Sequence, residues 1–87
     1  MELVDLEDIE KHDNPLLYRV RYHAVAVLRN TGDQTVRKKV EFVVESDPFG
    51  SRSVTVKVID EIDAPLIPVT RTIKVHVERL LADGALP

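Results

Sequence analysis

Three imidazoles, His12, His23 and His76, are the side chains of this sequence best suited to metal ligation or general-base work. A metal centre needs several converging N, O or S donors, and the chain has no cysteine to add to them. His23 and His76 fall on the polar side of the first and last of four periodic segments, so they meet only if a sheet closes on itself. His12 stands beside Asp13 in a turn, and neighbours in sequence are poorly aimed at each other for proton transfer. Asp60, Glu61 and Asp63 form a carboxylate cluster, but the strand register set by the turns gives Asp60 and Glu61 basic partners. Two of the three glycines, Gly32 and Gly50, are taken up by turns, which leaves no phosphate-cradling loop. No serine has a His and a carboxylate to complete a nucleophilic constellation. The residues therefore imply no cofactor, no metal and a non-catalytic role.

Charge gives a second functional reading. The chain carries 12 Lys and Arg against 15 Asp and Glu, a net charge of −3. Residues 1–13 hold six acids and one lysine, or −5, while residues 14–39 hold six bases against Asp33 alone, or +5. Arg19, Arg21, Arg29, Arg37 and Lys39 share one parity and form a candidate face for an anionic partner, nucleic acid included. The alternative is a solvated strand face neutralised in part by the acidic N-terminal segment. Tyr18 and Tyr22 have the opposite parity, so no aromatic platform interleaves with the bases.

These side chains must be positioned by strands, because period-2 alternation of β-branched and apolar residues dominates after residue 13. The pattern predicts an all-β antiparallel meander of four long strands, about 16–29, 34–46, 52–62 and 69–79. The segment 1–13 reads as a short strand or a helix closed by Asn14-Pro15. Residues 80–87 read as a tail with a helical turn stopped by Gly84. Length and composition agree with one small domain over 1–87, since 87 residues with 44% hydrophobic and 31% charged side chains are ordinary globular values. There is neither a membrane-length apolar run nor a basic and apolar leader at the N-terminus. If the chain is complete, that points to the cytoplasm.

Two turns constrain the register. Asn30-Thr31-Gly32 and Pro48-Phe49-Gly50 each suit a three-residue hairpin loop with glycine in the left-handed position of a G1 bulge. The first loop would pair Ala26 with Val36, Tyr22 with Val40, Val20 with Phe42 and Tyr18 with Val44, and would set Arg21 against Glu41. The second would pair Val44 with Val54, Phe42 with Val56 and Val40 with Val58, and would set Glu41 against Lys57, Lys38 against Asp60 and Arg37 against Glu61. A four-residue third loop would bring Val58 to Ile73 and Arg71 to Asp60.

Such a sheet presents an apolar face of about 40 by 19 Å, whereas a ten-residue helix about 15 Å long and about 10 Å wide hides roughly a fifth of it. The sheet must curl, fold over as a sandwich, or bury the face against another subunit. Tyr18, Val20, Tyr22, Phe42, Val44, Val56, Ile73 and Val75 are accordingly the candidate protein-interaction residues. Self-association or a larger assembly is the expected partnership, with the terminal segments acting as arms.

The run Val25-Ala26-Val27-Leu28-Arg29-Asn30-Thr31-Gly32-Asp33-Gln34 resembles bacterial immunoglobulin-like modules, including the CARDB-like group, in which a strand ends in an Asn-Thr-Gly-Asp turn. Glu2-Leu3-Val4-Asp5-Leu6-Glu7-Asp8-Ile9 is similar to their first strand. The resemblance covers about residues 2–46. It implies an incomplete β-sandwich, since the family's sandwich has about seven strands, and it implies adhesion, assembly or spacer roles.

Overall fold

The computed structural model describes residues 1–12 and 18–87. The Asn14-Pro15 turn and the start of the predicted strand at Leu16 lie outside the described residues. The chain is mostly β, with four antiparallel strands in one open sheet, β1 (Glu2–His12), β2 (Arg19–Arg29), β3 (Thr35–Ser46) and β4 (Arg52–Val58), followed by one helix, α1 (Leu66–Ala82). Strand order in space follows the chain, β1-β2-β3-β4. The meander expected from the alternation is therefore present, but its four strands begin at the N-terminal segment. Residues 69–79 are helix rather than strand, and the fourth strand ends at Val58 rather than at residue 62.

The helix wins over 69–79 because its apolar residues satisfy the period of 3.6 as well as that of 2. Val69, Ile73 and Val77, four apart, are buried, and Leu80 and Leu81 pack against the same core. Val75, which a strand would have turned inward with Ile73 and Val77, is 50% exposed on the far side of the helix. Pro68 sits in the first turn, where its missing N–H would have no intrahelical partner. Two β-branched residues are accommodated by back-bonding: the hydroxyls of Thr70 and Thr72 donate to the carbonyls of Ile67 (3.0 Å) and Pro68 (2.9 Å). Gly84, at φ 67°, ends the helix in a Schellman motif, with Ala85 N–H on the Leu80 carbonyl (2.9 Å) and Gly84 N–H on that of Leu81 (3.2 Å).

The register of the second hairpin is as expected: Val44 opposes Val54, Phe42 opposes Val56, Val40 opposes Val58 and Glu41 opposes Lys57. Gly50, at φ 88°, takes the left-handed position. In the first hairpin the pairing is displaced by two residues, so that Tyr22 faces Phe42, Val20 faces Val44, Leu28 faces Val36 and His23 faces Glu41. The left-handed residue there is Asp33 (φ 60°), not Gly32. Asn30 selects this turn, because its side-chain oxygen accepts the N–H groups of Gly32 (2.9 Å) and Gln34 (3.1 Å). A shift of two preserves the parity, and hence which side chains face inward.

A single sheet with a helix on its concave face replaces the anticipated incomplete sandwich. At 17 residues the helix is about 25 Å long, and it approaches both edge strands, so the sheet bends around it. The core joins Leu6, Tyr22, Ala24, Ala26, Leu28, Val40, Phe42, Val44 and Val54 of the sheet to Val69, Ile73 and Val77 of the helix. Phe42 and Ile73 are fully buried, each stabilising the fold by about 1.5–3 kcal/mol through removal from water. Tyr22 stacks on Phe42 with ring centroids 4.9 Å apart. Its hydroxyl donates to the carbonyl of Pro87 (3.2 Å), tying the C-terminus to the sheet.

Candidate functional site

The convex face of the sheet carries the bases singled out by parity, and β1 lies beside them with its acids. Arg19 pairs with Glu45 (3.8 Å), Arg21 with Glu41 (3.7 Å), Arg29 with Glu2 (3.8 Å) and Arg37 with Glu7 (3.0 Å). The Arg21–Glu41 pair survives the shifted register as a diagonal contact. Lys39 has no carboxylate partner among the described residues, although its backbone N–H donates to Asp60 (2.8 Å). Asp60 therefore anchors the chain leaving β4 rather than meeting Lys38, and Arg37 meets Glu7 rather than Glu61. This face is a lattice of alternating charge.

The imidazoles are distributed differently from the sequence expectation. His12 and His23 come together on the convex face with ring centroids 4.0 Å apart, and His23 Nε2 lies 3.5 Å from Glu41 Oε2. Nothing in the alternation pointed to this pair, because two bulges in β1, between Leu3 and Asp5 and between Glu7 and Glu10, carry His12 into register opposite Arg21. His76 is on α1, across the sheet from the other two. Asp8, Glu10, His23, Lys39 and Ile59 border a depression of about 280 Å³ in which charges of both signs mix. Among the described residues no group of three or more His, Asp and Glu is placed to hold a metal ion.

The residues expected to form an open apolar face divide into two groups. Tyr22, Phe42, Val44 and Ile73 are in the chain's own core, under or on the helix, and Val20 and Val56 are half-buried. Only Tyr18, at 56%, and Val75, at 50%, are exposed. The helix is longer and the sheet more bent than the area comparison assumes, and together they cover the face.

What remains open is an edge. β1 is the first edge strand, and its bulges, with Asp8 at φ 52°, interrupt the pairing geometry that another strand would need. β4 is the other edge strand and pairs with β3 without interruption over all seven residues. The bond from Asp47 N–H to the Ser51 carbonyl (2.9 Å) and that from Ile59 N–H to the Lys39 carbonyl (2.9 Å) set the alternation. Odd-numbered residues of β4 bond inward to β3, and Arg52, Val54, Val56 and Val58 turn their N–H and C=O groups outward. Alongside runs a groove of about 340 Å³ lined by Val54, Thr55, Val56, Ile67, Thr70, Arg71 and Lys74. Successive strand residues point to opposite faces, so a cavity touching Val54, Thr55 and Val56 opens on the strand edge itself. Its other wall is the stripe 67, 70, 71, 74 of α1, with Ile67 69% exposed. The sequence named neither the edge nor the groove, since both depend on residues 66–82 being helical.

No helix among the described residues is long and apolar enough to cross a membrane. Residues 1–82 match the model of the BB_0187 family, to which the chain belongs. No curated protein and no solved structure matches it.

Proposed function

We propose that this family member is a non-catalytic protein-interaction module that docks its partner on the free edge of β4 and the groove beside α1. The observation that carries this reading is the unbulged edge of β4, with four residues aiming backbone hydrogen-bonding groups outward next to exposed Ile67. Edges of this kind are templates for an added strand, and soluble proteins ordinarily blunt them. β1 is blunted by its bulges, and β4 carries no such device. The sheet face and the terminal arms first expected to mediate assembly are engaged within the chain: the N-terminal arm is β1, the C-terminal arm is α1, and their apolar sides close the core. The paired arginines of the convex face offer less to a nucleic acid than their number suggests, because each already has a carboxylate within 4 Å.

The reading is tested by photo-crosslinking in cells. A benzophenone side chain at position 67, in the groove wall, is expected to give a discrete protein adduct, and one at position 35, on the convex face, is expected to give none. Equal labelling from both positions, or none from position 67, would contradict it.

A further inference from the structure

We infer that the partner of the β4 edge is an extended acidic segment of another protein, added to the sheet as a fifth strand between β4 and α1. The inference rests on the interaction-module reading and specifies its ligand. Charge selects the occupant. On a chain of net charge −3, the groove is lined by Arg71 and Lys74 with no acid, and β4 itself contributes Arg52 and Lys57 and no acid. None of these four cations has a carboxylate within 4 Å among the described residues, in contrast to four of the five bases of the convex face. The positive charge is thus unspent where the backbone is also unspent.

The geometry defines what such a segment looks like. Side chains of an added strand alternate between the two faces of the sheet. Those on the concave side would lie on Val54, Val56 and Ile67, with Arg71 and Lys74 at the rim; those on the convex side would lie beside Thr55 and Lys57. An extended stretch alternating small apolar and acidic residues meets both sets. Main-chain bonds to Val54 and Val56 supply sequence-independent affinity, and the cations supply selection. β1 of a second copy is acidic and is the obvious rival, but its bulges near Val4 and at Asp8–Ile9 leave no straight run to match the seven residues of β4. Its Glu2 and Glu7 are also held by Arg29 and Arg37 of the same chain.

The test uses the full chain and a fluorescein-labelled hexapeptide of alternating Glu and Val, followed by fluorescence anisotropy. Saturable binding is expected, weakened about tenfold by the double substitution Arg71→Glu, Lys74→Glu on the exposed rim, and reduced by added salt. A peptide N-methylated at alternate amides should not bind, nor should the Lys-Val hexapeptide. Absence of binding, or binding indifferent to charge reversal or N-methylation, overturns the inference. So does a dimer seen by light scattering that dissociates on charge reversal at Arg71 and Lys74, which would make a second copy the occupant. Should the position-67 crosslink succeed while the Glu-Val peptide fails, the acidic ligand is wrong and the docking edge stands.

Discussion

Arg37 Nε lies 3.0 Å from Glu7 Oε1 although β2 runs between the strands that carry them. In register Arg37 opposes Val27, and Glu7 opposes Val25. The bridge therefore passes over these two valines on the convex face, and Val27, on a side otherwise given to charges, is only 6% exposed. The guanidinium stem acts as an apolar cover whose charged head stays in water.

This arrangement separates packing from charge. Arg37→Ala should cost about 1 kcal/mol, mainly through uncovering Val27. A double-mutant cycle with Glu7→Ala should return a coupling of about 0.5 kcal/mol, because both side chains are substantially exposed. Urea unfolding at low and high salt measures both, and a coupling equal to the whole single-mutant loss would refute the cover.

The helical assignment of residues 66–82 makes two neighbouring apolar positions unequal. Ile73→Ala should destabilise by about 2–5 kcal/mol, since Ile73 is fully buried against the sheet. Val75→Ala, on the exposed side of α1, should change stability by at most about 0.5 kcal/mol. A strand would make both changes costly, so thermal unfolding of the two variants decides between the structures.

Which features could be read from the sequence follows from how many conformations each stretch permits. The Asp47–Ser51 turn has one residue suited to positive φ, Gly50, and its register follows. The Asn30–Gln34 turn has two, Gly32 and Asp33, and the choice between them is made by the Asn30 side chain, so the expected pairing is two residues adrift with the faces correct. Residues 69–79 satisfy both periodicities at Ile73 and Val77, and the β-branched Thr70, Thr72 and Val75 imitate a strand. Only Val69 with Leu80 and Leu81 breaks the tie. The convex charges were legible by parity, but their neutralisation was not, because the bulges of β1 follow no parity. The docking edge was hidden with the helix that forms its wall.

The first turn offers a stability test with opposite signs. Asp33→Gly should stabilise by roughly 0.5–1 kcal/mol, since glycine occupies φ 60° without a Cβ penalty. Asn30→Ala should destabilise by about 1 kcal/mol by removing the acceptor for Gly32 and Gln34 N–H. Differential scanning calorimetry reads both as shifts of Tm in opposite directions.

Burial raises the pKa of the Tyr22 phenol above its usual value near 10. The protonated form is then favoured in the folded state, so its contribution is complete below pH 10 and is lost as pH rises through the folded value. Tyr22→Phe should remove this alkaline loss while costing about 1 kcal/mol at neutral pH for the bond to Pro87. Urea midpoints between pH 8 and pH 11 test the sign.

Amide hydrogen exchange of Val54 and Val56 tests the docking edge most directly. In the free chain both amides point away from β3 and should exchange rapidly for strand residues, while Val43, in the interior strand β3, should be protected. With the Glu-Val hexapeptide bound, Val54 and Val56 should slow together and Val43 should be unchanged. Slow exchange at both amides in the free chain, or no change on adding the peptide, would contradict the account.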